Sequence, residues 1–223
     1  SGTNLFAGTN GGVFISTNNG TSWTAVNTGL TNISIWSFAV SGTNLFARDL
    51  FRGIFLSTNN GTSWTAVNPV LTNTVVNHND LAVVGTNLFV ATSNGVFLST
   101  NSGTSWTAVN TSLSYPCVQV LAVSGTNLFA GTFSGGVFLS TNNGTSWLEV
   151  NAGLPQYTKV DAIGVSGTNL VASTDKGFWR RSLSEMVTST TTNAQIPNNG
   201  FENWTKIGSY ENPAGWATMN SIA

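Results

Sequence analysis

The side chains that could carry acid–base chemistry are few and scattered along this chain. Of its 223 residues, 7 are Lys or Arg, 8 are Asp or Glu and 1 is His. Asp161 and Asp175 come closest to a glycosidase pair, in which one carboxyl group acts as acid and the other as base. They are well separated in sequence, and the reaction would require the fold to bring them face to face. We therefore expect no catalytic pair here.

Arginine offers a second kind of chemistry, the binding of anions. Arg48, Asp49 and Arg52 lie together between two apolar runs, where the corresponding stretches of the chain have Gly-Thr. One hypothesis is a small recognition site. The other, which we favour, is an exposed ion pair that contributes less than about 1 kcal/mol to stability.

His78 and Cys117 are each the only residue of their type. A single His without clustered Cys or carboxylates makes a poor metal site, so we predict no metal and no cofactor. We interpret His78 as a residue of a loop or of the start of a strand. Cys117 replaces an apolar residue, so we expect an inert, buried thiol.

The 8 tryptophans fall into two groups. Four recur at equivalent places, where they could anchor a core or form aromatic platforms for sugars. We favour anchoring, because a residue that a recurring turn requires will recur with that turn. Trp36 and Trp179 are not repeated, so they join Arg48 and Arg52 as candidates for a specific interaction surface. The recurring residues are Trp23, Trp64, Trp106 and Trp147.

A tandem repeat positions these residues and dominates the sequence. The octapeptide Ser-Thr-Asn-Asn-Gly-Thr-Ser-Trp occurs at 16–23, 57–64 and 140–147, and 99–106 differs from it only at Ser102. The spacings are 41, 42 and 41 residues. A second marker, Gly-Thr-Asn-Leu, begins at five positions, which gives roughly four and a half units. These positions are Gly2, Gly42, Gly85, Gly125 and Gly167.

Each unit is predicted to contain four short strands. In one unit the runs 36–40, 45–47, 54–57 and 64–67 are rich in β-branched and aromatic residues, and Gly, Asn and Ser separate them. Asn-Gly tolerates positive φ at both central positions of a tight hairpin turn. Four strands in about 42 residues is the size of a propeller blade. The sequence therefore predicts an all-β fold: a β-propeller of about five four-stranded blades, the first and last incomplete, followed by an extended tail.

The repeated Ser-x-Asn-x-Gly-x-Ser-Trp resembles the Asp-box, Ser-x-Asp-x-Gly-x-Thr-Trp, of sialidases, sortilin-like receptors and related BNR-repeat propellers. This chain has Asn where that family usually has Asp. We expect tight turns at 18–20, 59–61, 101–103 and 142–144, closed by the polar residues and anchored by Trp. The structural Asp-box residues are Ser16, Asn18, Gly20 and Trp23; Ser57, Asn59, Gly61 and Trp64; Ser99, Asn101, Gly103 and Trp106; and Ser140, Asn142, Gly144 and Trp147.

Residues 1–186 also resemble the near-identical propeller repeats of secreted Bacteroidetes-type proteins. Those repeats often end in Trp-Arg-Arg-x-Leu-Ser-Glu-Met, as found here at 179–186. Such proteins commonly use the type IX secretion route. The resemblance therefore implies an extracellular or cell-surface location.

The resemblance to sialidases does not extend to their catalytic residues. Sialidase chemistry requires three separated Arg residues, a Tyr nucleophile with a Glu partner and an acidic proton donor. The 4 Arg residues here form two close pairs. Neighbouring strand residues point to opposite faces, so Arg180 and Arg181 cannot share one site. Tyr115 and Tyr157 have no nearby Glu, and we expect that the chain is not an enzyme.

The repeats end at Met186, which sets a propeller domain at 1–186. Residues 187–198 are rich in Thr and Ser and are expected to form a linker. Residues 199–223 resemble the opening of a β-sandwich-like, carbohydrate-binding-like domain, but are too few to bury a core. They are either the start of such a domain or a strand-donating tail. Their interaction candidates are Phe201, Trp204 and Trp216.

Composition limits the partners. Charged residues make up 7% of the chain and the net charge is −1, so nothing attracts nucleic acid over a distance. No apolar run is long enough to insert in a membrane. We expect a structural or interaction module whose partner is another copy, a cell-surface protein or a glycan. The alternative is a glycan-binding or sialidase-like, glycan-processing propeller. The loops after each fourth strand vary most, as in a binding face.

Closure of the propeller poses a further question, because an open sheet edge must be filled or hidden. The first unit lacks its first strand, and the last lacks its fourth. Residues upstream of this stretch could fill the gap. Alternatively, the tail at 194–223 could donate a strand to another molecule and build filaments. Deleting 194–223 would then leave a folded propeller that no longer assembles.

Overall fold

The computed structural model describes residues 3–30, 34–49, 53–67, 80–187 and 205–206. These residues form β-strands, arranged in five antiparallel sheets, and one short helix. The sheets follow one another along the chain, one for each sequence repeat, and we number them blades 1 to 5. The expected all-β architecture of repeated blades is confirmed.

The strands run in order within each blade. Blade 1 has three of them and each of the others has four. The bounds in blades 1 to 3 are β1 (Leu5–Thr9), β2 (Gly12–Ser16) and β3 (Thr24–Ala25); β4 (Ile35–Ser41), β5 (Asn44–Asp49), β6 (Gly53–Ser57) and β7 (Thr65–Ala66); β8 (Leu81–Val84), β9 (Asn87–Thr92), β10 (Gly95–Ser99) and β11 (Thr107–Ala108).

Blades 4 and 5 continue the pattern, and a helix follows the third strand of blade 5. The bounds are β12 (Val118–Ser124), β13 (Asn127–Thr132), β14 (Val137–Ser140) and β15 (Leu148–Glu149); β16 (Val160–Ser166), β17 (Asn169–Thr174), β18 (Gly177–Ser182), α1 (Leu183–Val187) and β19 (Thr205–Lys206).

The second strand of each inner blade is buried on both sides. In β5, β9 and β13 every residue after the first is buried. Successive side chains of a strand point to opposite faces of the sheet, so its Leu and its Phe enter different cores. Leu88 packs with Phe46 of blade 2, whereas Phe89 packs with Leu128 of blade 4. The blades are thus held together face to face.

The connections divide between two sides of the molecule. The Gly-Thr-Asn turns lie on one side together with the turns of the repeated octapeptide, which we call Asp-box turns after the motif that they resemble. We call this side the Asp-box face. The turns between second and third strands lie on the other, together with the connections that lead from one blade to the next. We call this second side the loop face. The variable loops at 110–117 and 151–159 therefore share one face with the turn 133–136.

Blade 5 differs from the expectation that the last blade lacks its fourth strand. Thr205 and Lys206 of the chain's own tail pair antiparallel with β18, opposite Arg180 and Trp179 respectively. The free side of β18 offers main-chain N–H and C=O groups, and an extended segment downstream satisfies them. The described part of the tail therefore fills an edge of its own blade, which corrects the expectation that the last blade lacks its fourth strand.

Candidate functional site

The Asp-box turns are built around one hydroxyl and one amide. In blade 2, Ser57 Oγ accepts the N–H of Gly61 at 2.8 Å and donates to Asn59 Oδ1 at 2.9 Å. Asn59 Oδ1 also accepts the N–H of Ser63 at 2.9 Å, and Asn59 Nδ2 donates to Ser63 Oγ at 2.8 Å. Asn serves here because its amide both accepts and donates. The same bonds recur in the other three motifs.

The backbone turns as expected, with positive φ at both central residues. In blade 2, φ is 54° at Asn60 and 81° at Gly61. Blade 3 adopts the same conformation with Ser102 at 57° in place of Asn. The hairpin as a whole is longer than a two-residue turn, since β6 ends at Ser57 and β7 begins at Thr65. The side-chain bonds of the motif hold this longer loop.

The recurring tryptophans lie in three environments. Trp64 and Trp147 are 4% and 5% exposed. Trp106 is half-buried and donates its indole N–H to Gly103 of its own turn at 3.0 Å. Trp23 is 43% exposed. The tryptophan of a blade contributes to the core shared with the preceding blade, and blade 1 has no preceding blade among the described residues.

At three of the four interfaces, the backbone carbonyl of one equivalent valine accepts a hydrogen bond from a side chain of the following blade. The indole N–H of Trp64 donates to Val26 O at 2.9 Å, and that of Trp147 donates to Val109 O at 2.7 Å. Val150 is the equivalent residue of blade 4, and its carbonyl accepts from Arg181 Nη1 at 3.0 Å. Blade 5 thus uses a buried arginine where blades 2 and 4 use the Asp-box tryptophan.

The interpretation of Arg48 and Asp49 as an exposed ion pair is wrong. Arg48 is 2% exposed and Asp49 is 0% exposed. They end β5, a strand covered by blades on both sides, so neither side chain reaches solvent. Asp49 Oδ2 accepts the N–H of Ser34 at 2.7 Å. The charges of Asp49 and Asp80 both stabilise the guanidinium.

In the cluster of Arg48, Asp49 and Asp80, burial and neighbouring charges act in opposite directions on the pKa values of Arg48 and Asp80. Burial lowers the pKa of Arg48 to about 10, although Asp49 and Asp80 act in the opposite direction. Burial raises the pKa of Asp80, opposed by the N–H groups of Leu121 and Leu81 and by the charge of Arg48. Asp80 lies at the start of blade 3, so the cluster joins blade 2 to blade 3. Its contacts indicate a structural role rather than an anion-binding site.

The fold brings Asp161 and Asp175 near each other, but lysines occupy both carboxylates. Lys159 Nζ lies 2.7 Å from Asp161, and the N–H of Lys159 donates to Asp175 at 2.9 Å. Lys176 Nζ lies 3.0 Å from Asp175. Burial would raise the pKa of Asp175, but the hydrogen bonds from Lys176 and Lys159 lower it overall. A carboxyl group with a lowered pKa is a poor proton donor at neutral pH.

The other sequence candidates are dispersed. Trp36 is 57% exposed on blade 2. Trp179 is half-buried on blade 5, and its buried indole N–H has no hydrogen-bond partner among the described residues. Cys117 is half-buried and free. Four further interaction candidates and the lone histidine lie outside the described residues: Arg52, Phe201, Trp204, Trp216 and His78.

The outer face of blade 1, which we call the leading face, is open. Leu5 is 45% exposed, whereas the equivalent Leu45, Leu88, Leu128 and Leu170 are at most 1% exposed. A Cβ at Gly61 would lie 2.7 Å from the Phe6 ring of the preceding blade. At Gly20, the equivalent glycine of blade 1, the nearest atoms belong to Leu5 and Trp23 of the same blade. On the leading face, residues whose equivalents are buried in later blades are thus exposed to solvent.

The outer face of blade 5, which we call the trailing face, is also exposed to solvent. It is the side that in blades 1 to 4 packs on the following blade. Phe178 is 46% exposed, at a position where blades 1 to 4 bury an aliphatic residue completely or nearly so. Val171 is half-buried at the position of the buried Phe46 and Phe129. Register places Arg180 beside Val171 on this face. Burial in β17 alternates accordingly, with only one side of the strand covered.

A cavity of about 310 Å³ opens on the loop face between blades 3, 4 and 5. Glu149, Tyr115 and Tyr157 all line it, so both tyrosines have a Glu nearby in the fold, contrary to the expectation from sequence. Sequence reasoning missed Glu149, Asn151 and Gln156. The available signal was that Glu149 replaces the Ala of blades 1 to 3, and that the turn before β14 is one residue longer than in blades 1 and 3.

The part of the chain that the structure describes has neither a cluster of metal ligands nor a membrane-spanning helix. Those residues contain no group of three or more His, Cys, Asp or Glu side chains able to hold a metal ion. They also contain no helix with the length and apolarity needed to cross a membrane.

Several solved structures share this fold. The GH74 enzyme of Niastella koreensis is 20% identical, with a TM-score of 0.65 over 93% of this chain and 30% of its own. The extracellular domain of a B. thetaiotaomicron protein is 16% identical, with a TM-score of 0.62 over 80% of this chain and 24% of its own. YCF48 bound to D1 peptide is 16% identical, with a TM-score of 0.56 over 78% of this chain and 59% of its own.

At these identities the likeness establishes the propeller fold alone. The chain spans about a third of the first similar enzyme, a xyloglucanase from Xanthomonas campestris. No curated protein matches the sequence. A family model for the DUF6242 beta propeller domain matches residues 30–223. With its blades stacked face to face and its match over most of its length, this chain belongs to the DUF6242 beta propeller domain family.

Proposed function

We propose that this chain is a non-enzymatic interaction module of the cell exterior that associates with further copies of itself, blade on blade. The observation that carries the proposal is the pair of open faces. Leu5 and Trp23 on the leading face and Phe178 on the trailing face are 43–46% exposed, where equivalent side chains of the inner blades are nearly all buried. Burying a large apolar side chain contributes about 1.5–3 kcal/mol.

The partner is inferred from the internal interfaces. At each of them the trailing side of one blade packs on the leading side of the next. A second copy offers a leading face of the same kind to the trailing face of the first. Such a contact is head-to-tail, so it forms a closed ring or a filament according to the rotation between copies.

Two charged substitutions, one on each open face, test this head-to-tail contact directly. Leu5→Asp blocks the leading face and Phe178→Asp blocks the trailing face, because each would place a carboxylate in an apolar contact. We expect the unmodified chain to show concentration-dependent mass in light scattering, and each variant to remain monomeric. An equimolar mixture of the two variants retains one intact pair of faces and should form a 1:1 dimer. Trp36→Asp, at an exposed site away from both ends, is the matched control.

Three outcomes would contradict the proposal. They are a monomeric unmodified chain at high concentration, single variants that assemble like the unmodified chain, and a mixture that forms no dimer while both variants stay folded by circular dichroism. Deletion of 194–223 provides a further distinction. Assembly through the open faces survives this deletion if the blades remain folded, whereas strand donation by the tail does not.

Support for a non-enzymatic role comes from the placement of charge. Asp161 and Asp175 are each paired with a lysine, and no Arg lines the cavity that contains Tyr115, Tyr157 and Glu149. A clamp for a sialic acid carboxylate is therefore missing from that cavity. Hydrolysis of glycosides by the purified chain, abolished by Glu149→Gln, would overturn this part of the proposal.

The proposed location outside the cell draws on two resemblances. The repeats are similar to those of secreted Bacteroidetes-type proteins, and one structural neighbour is an extracellular domain. Digestion of the native protein by protease added to intact cells is the expected result. Protection of the protein until the cells are lysed would count against it.

A further inference from the structure

The cavity on the loop face is lined by residues of blade 4 and of the loops on either side of it, and several of them depart from the sequences of blades 1 and 3. Glu149 stands where blades 1 to 3 have Ala25, Ala66 and Ala108. The turn 133–136 has one residue more than its equivalents in blades 1 and 3. The loop 151–159 supplies Gln156 and Tyr157. These departures meet around a single space, although the repeat otherwise keeps the blades nearly identical.

The walls of this space are fixed by contacts within the protein. The N–H of Gly136 donates to Thr158 O at 3.1 Å, which ties the turn to the loop. Thr158 is 1% exposed and its hydroxyl donates to Pro155 O at 2.6 Å. Tyr115 packs on the backbone of Gly135, where any Cβ would collide with the ring. The cavity is therefore formed before a ligand arrives, which lowers the entropic cost of binding.

Hydrogen bonds within blade 4 hold the polar side chains of the cavity in place. Asn151 Nδ2 donates to Glu149 Oε1 at 2.7 Å and to Gly135 O at 2.6 Å, while Asn151 Oδ1 accepts the N–H of Val137 at 2.7 Å. Asn151 is thus fully engaged and holds the carboxylate in place. The second oxygen, Glu149 Oε2, has no bond from any described residue and remains available to a hydroxyl group.

The aromatic groups complete the site. Tyr157 is 72% exposed and has φ of 55°, a conformation that costs energy for a residue other than Gly. Tyr115 is half-buried, with its ring 6.4 Å from that of Phe138. A tyrosine ring offers an apolar surface with a polar tip, which suits the C–H face and the hydroxyls of a pyranose ring.

We propose that this cavity binds a neutral pyranose residue of a glycan. A volume of about 310 Å³ lies at the lower end of the range for small-molecule sites, which suits one or two sugar rings. Glu149 is the only charged residue of the lining, so an anionic sugar such as sialic acid or a uronic acid is disfavoured. A carboxylate that accepts from a hydroxyl forms a charge-assisted bond, which orients the ring. The inference does not depend on self-association.

Isothermal titration of the full chain with glucose, galactose, mannose, xylose and their β-linked disaccharides tests the assignment, with N-acetylneuraminic acid as the anionic probe. We expect saturable binding of at least one neutral sugar. Tyr157→Ala and Glu149→Gln should each weaken it by about tenfold or more, equivalent to about 1.4 kcal/mol. Phe133→Ala is the matched control, because Phe133 is 53% exposed beside the cavity without lining it.

Each outcome bears on the proposal. Failure of all neutral sugars to bind overturns it, as does equal or tighter binding of N-acetylneuraminic acid. Binding that survives Tyr157→Ala and Glu149→Gln places the sugar elsewhere and also overturns it. Repeating the titration with Leu5→Asp separates this site from self-association, because the sugar should bind that variant as well as it binds the unmodified chain.

Discussion

Blades 1 and 2 carry the same octapeptide, yet they bury it differently. The turn bonds of Ser16 and Ser57 match to about 0.1 Å, whereas Trp23 is 43% exposed and Trp64 is 4% exposed. The turn is therefore a local property of the sequence. The burial of tryptophan depends on a neighbouring blade, so the same residue is part of the core at one position and of an open surface at the other.

The largest expected difference between the two blades is in tryptophan truncation. Trp64→Ala removes a buried ring and its bond to Val26 O, and should lower the free energy of unfolding by about 3–5 kcal/mol. Trp23→Ala should cost less than about 1 kcal/mol at low protein concentration. Urea unfolding followed by far-UV circular dichroism measures both. Equal losses would mean that a neighbour also covers Trp23.

A second comparison is between an arginine in the interior, Arg48, and one on the open trailing face, Arg180. Arg48→Ala leaves the buried carboxylate of Asp49 and the half-buried carboxylate of Asp80 without their cation, and should cost about 3 kcal/mol. Arg180→Ala on the open trailing face should cost less than about 0.5 kcal/mol. The same urea titrations apply. A small loss for Arg48→Ala would show that water reaches the cluster.

Removing the serine hydroxyl at the centre of the Asp-box turn should lower the free energy of unfolding equally in blades 1 and 2, whereas removing the tryptophan should not. Ser57→Ala and Ser16→Ala remove the same acceptor from the same backbone N–H, so both should cost about 1–3 kcal/mol. Matched losses in the two blades would support a local turn, as measured by chemical denaturation. A loss confined to Ser57→Ala would indicate that the neighbouring blade also stabilises the turn.

The smallest expected effect is that of introducing Asp, the residue that the similar Asp-box motif usually has at this position. In Asn59→Asp the carboxylate can still accept from the N–H of Ser63 and from Ser57, while the hydroxyl of Ser63 reverses its bond and donates. We expect a change within about 0.5 kcal/mol, and the same for Asn18→Asp. A shift of several degrees in the melting temperature of either variant would mean that the amide donor is required.

The parts of the fold that a single repeat encodes could be predicted from the sequence. Residues 57–64 specify their own turn, and apolar alternation specifies the strands on either side. The burial of Arg48 could not be predicted in this way, because it depends on packing against blade 3, which starts at Asp80. The cavity escaped prediction for the same reason, since Tyr115, Glu149 and Tyr157 belong to separate segments that only packing brings together.

The fourth strand of blade 5 did leave a trace in the sequence. Residues 204–207 read Trp-Thr-Lys-Ile, close to the Trp-Thr-Ala-Val of blades 1 to 3, and Asn-Asn-Gly precedes them at 198–200. One extra residue separates that Gly from Trp compared with the octapeptide. The offset and the intervening 187–198 concealed the similarity. A search that tolerates insertions would have assigned Thr205 and Lys206 to the propeller.

The position of the main strand contacts has a consequence for how such a gene changes. They run within blades or between successive ones, and each interface joins the same two kinds of surface. Unequal recombination between two copies of the 41-residue unit would add or remove one blade. Every junction in the product would join the same two kinds of surface as in the parent, so copy number can vary without a new kind of interface having to evolve.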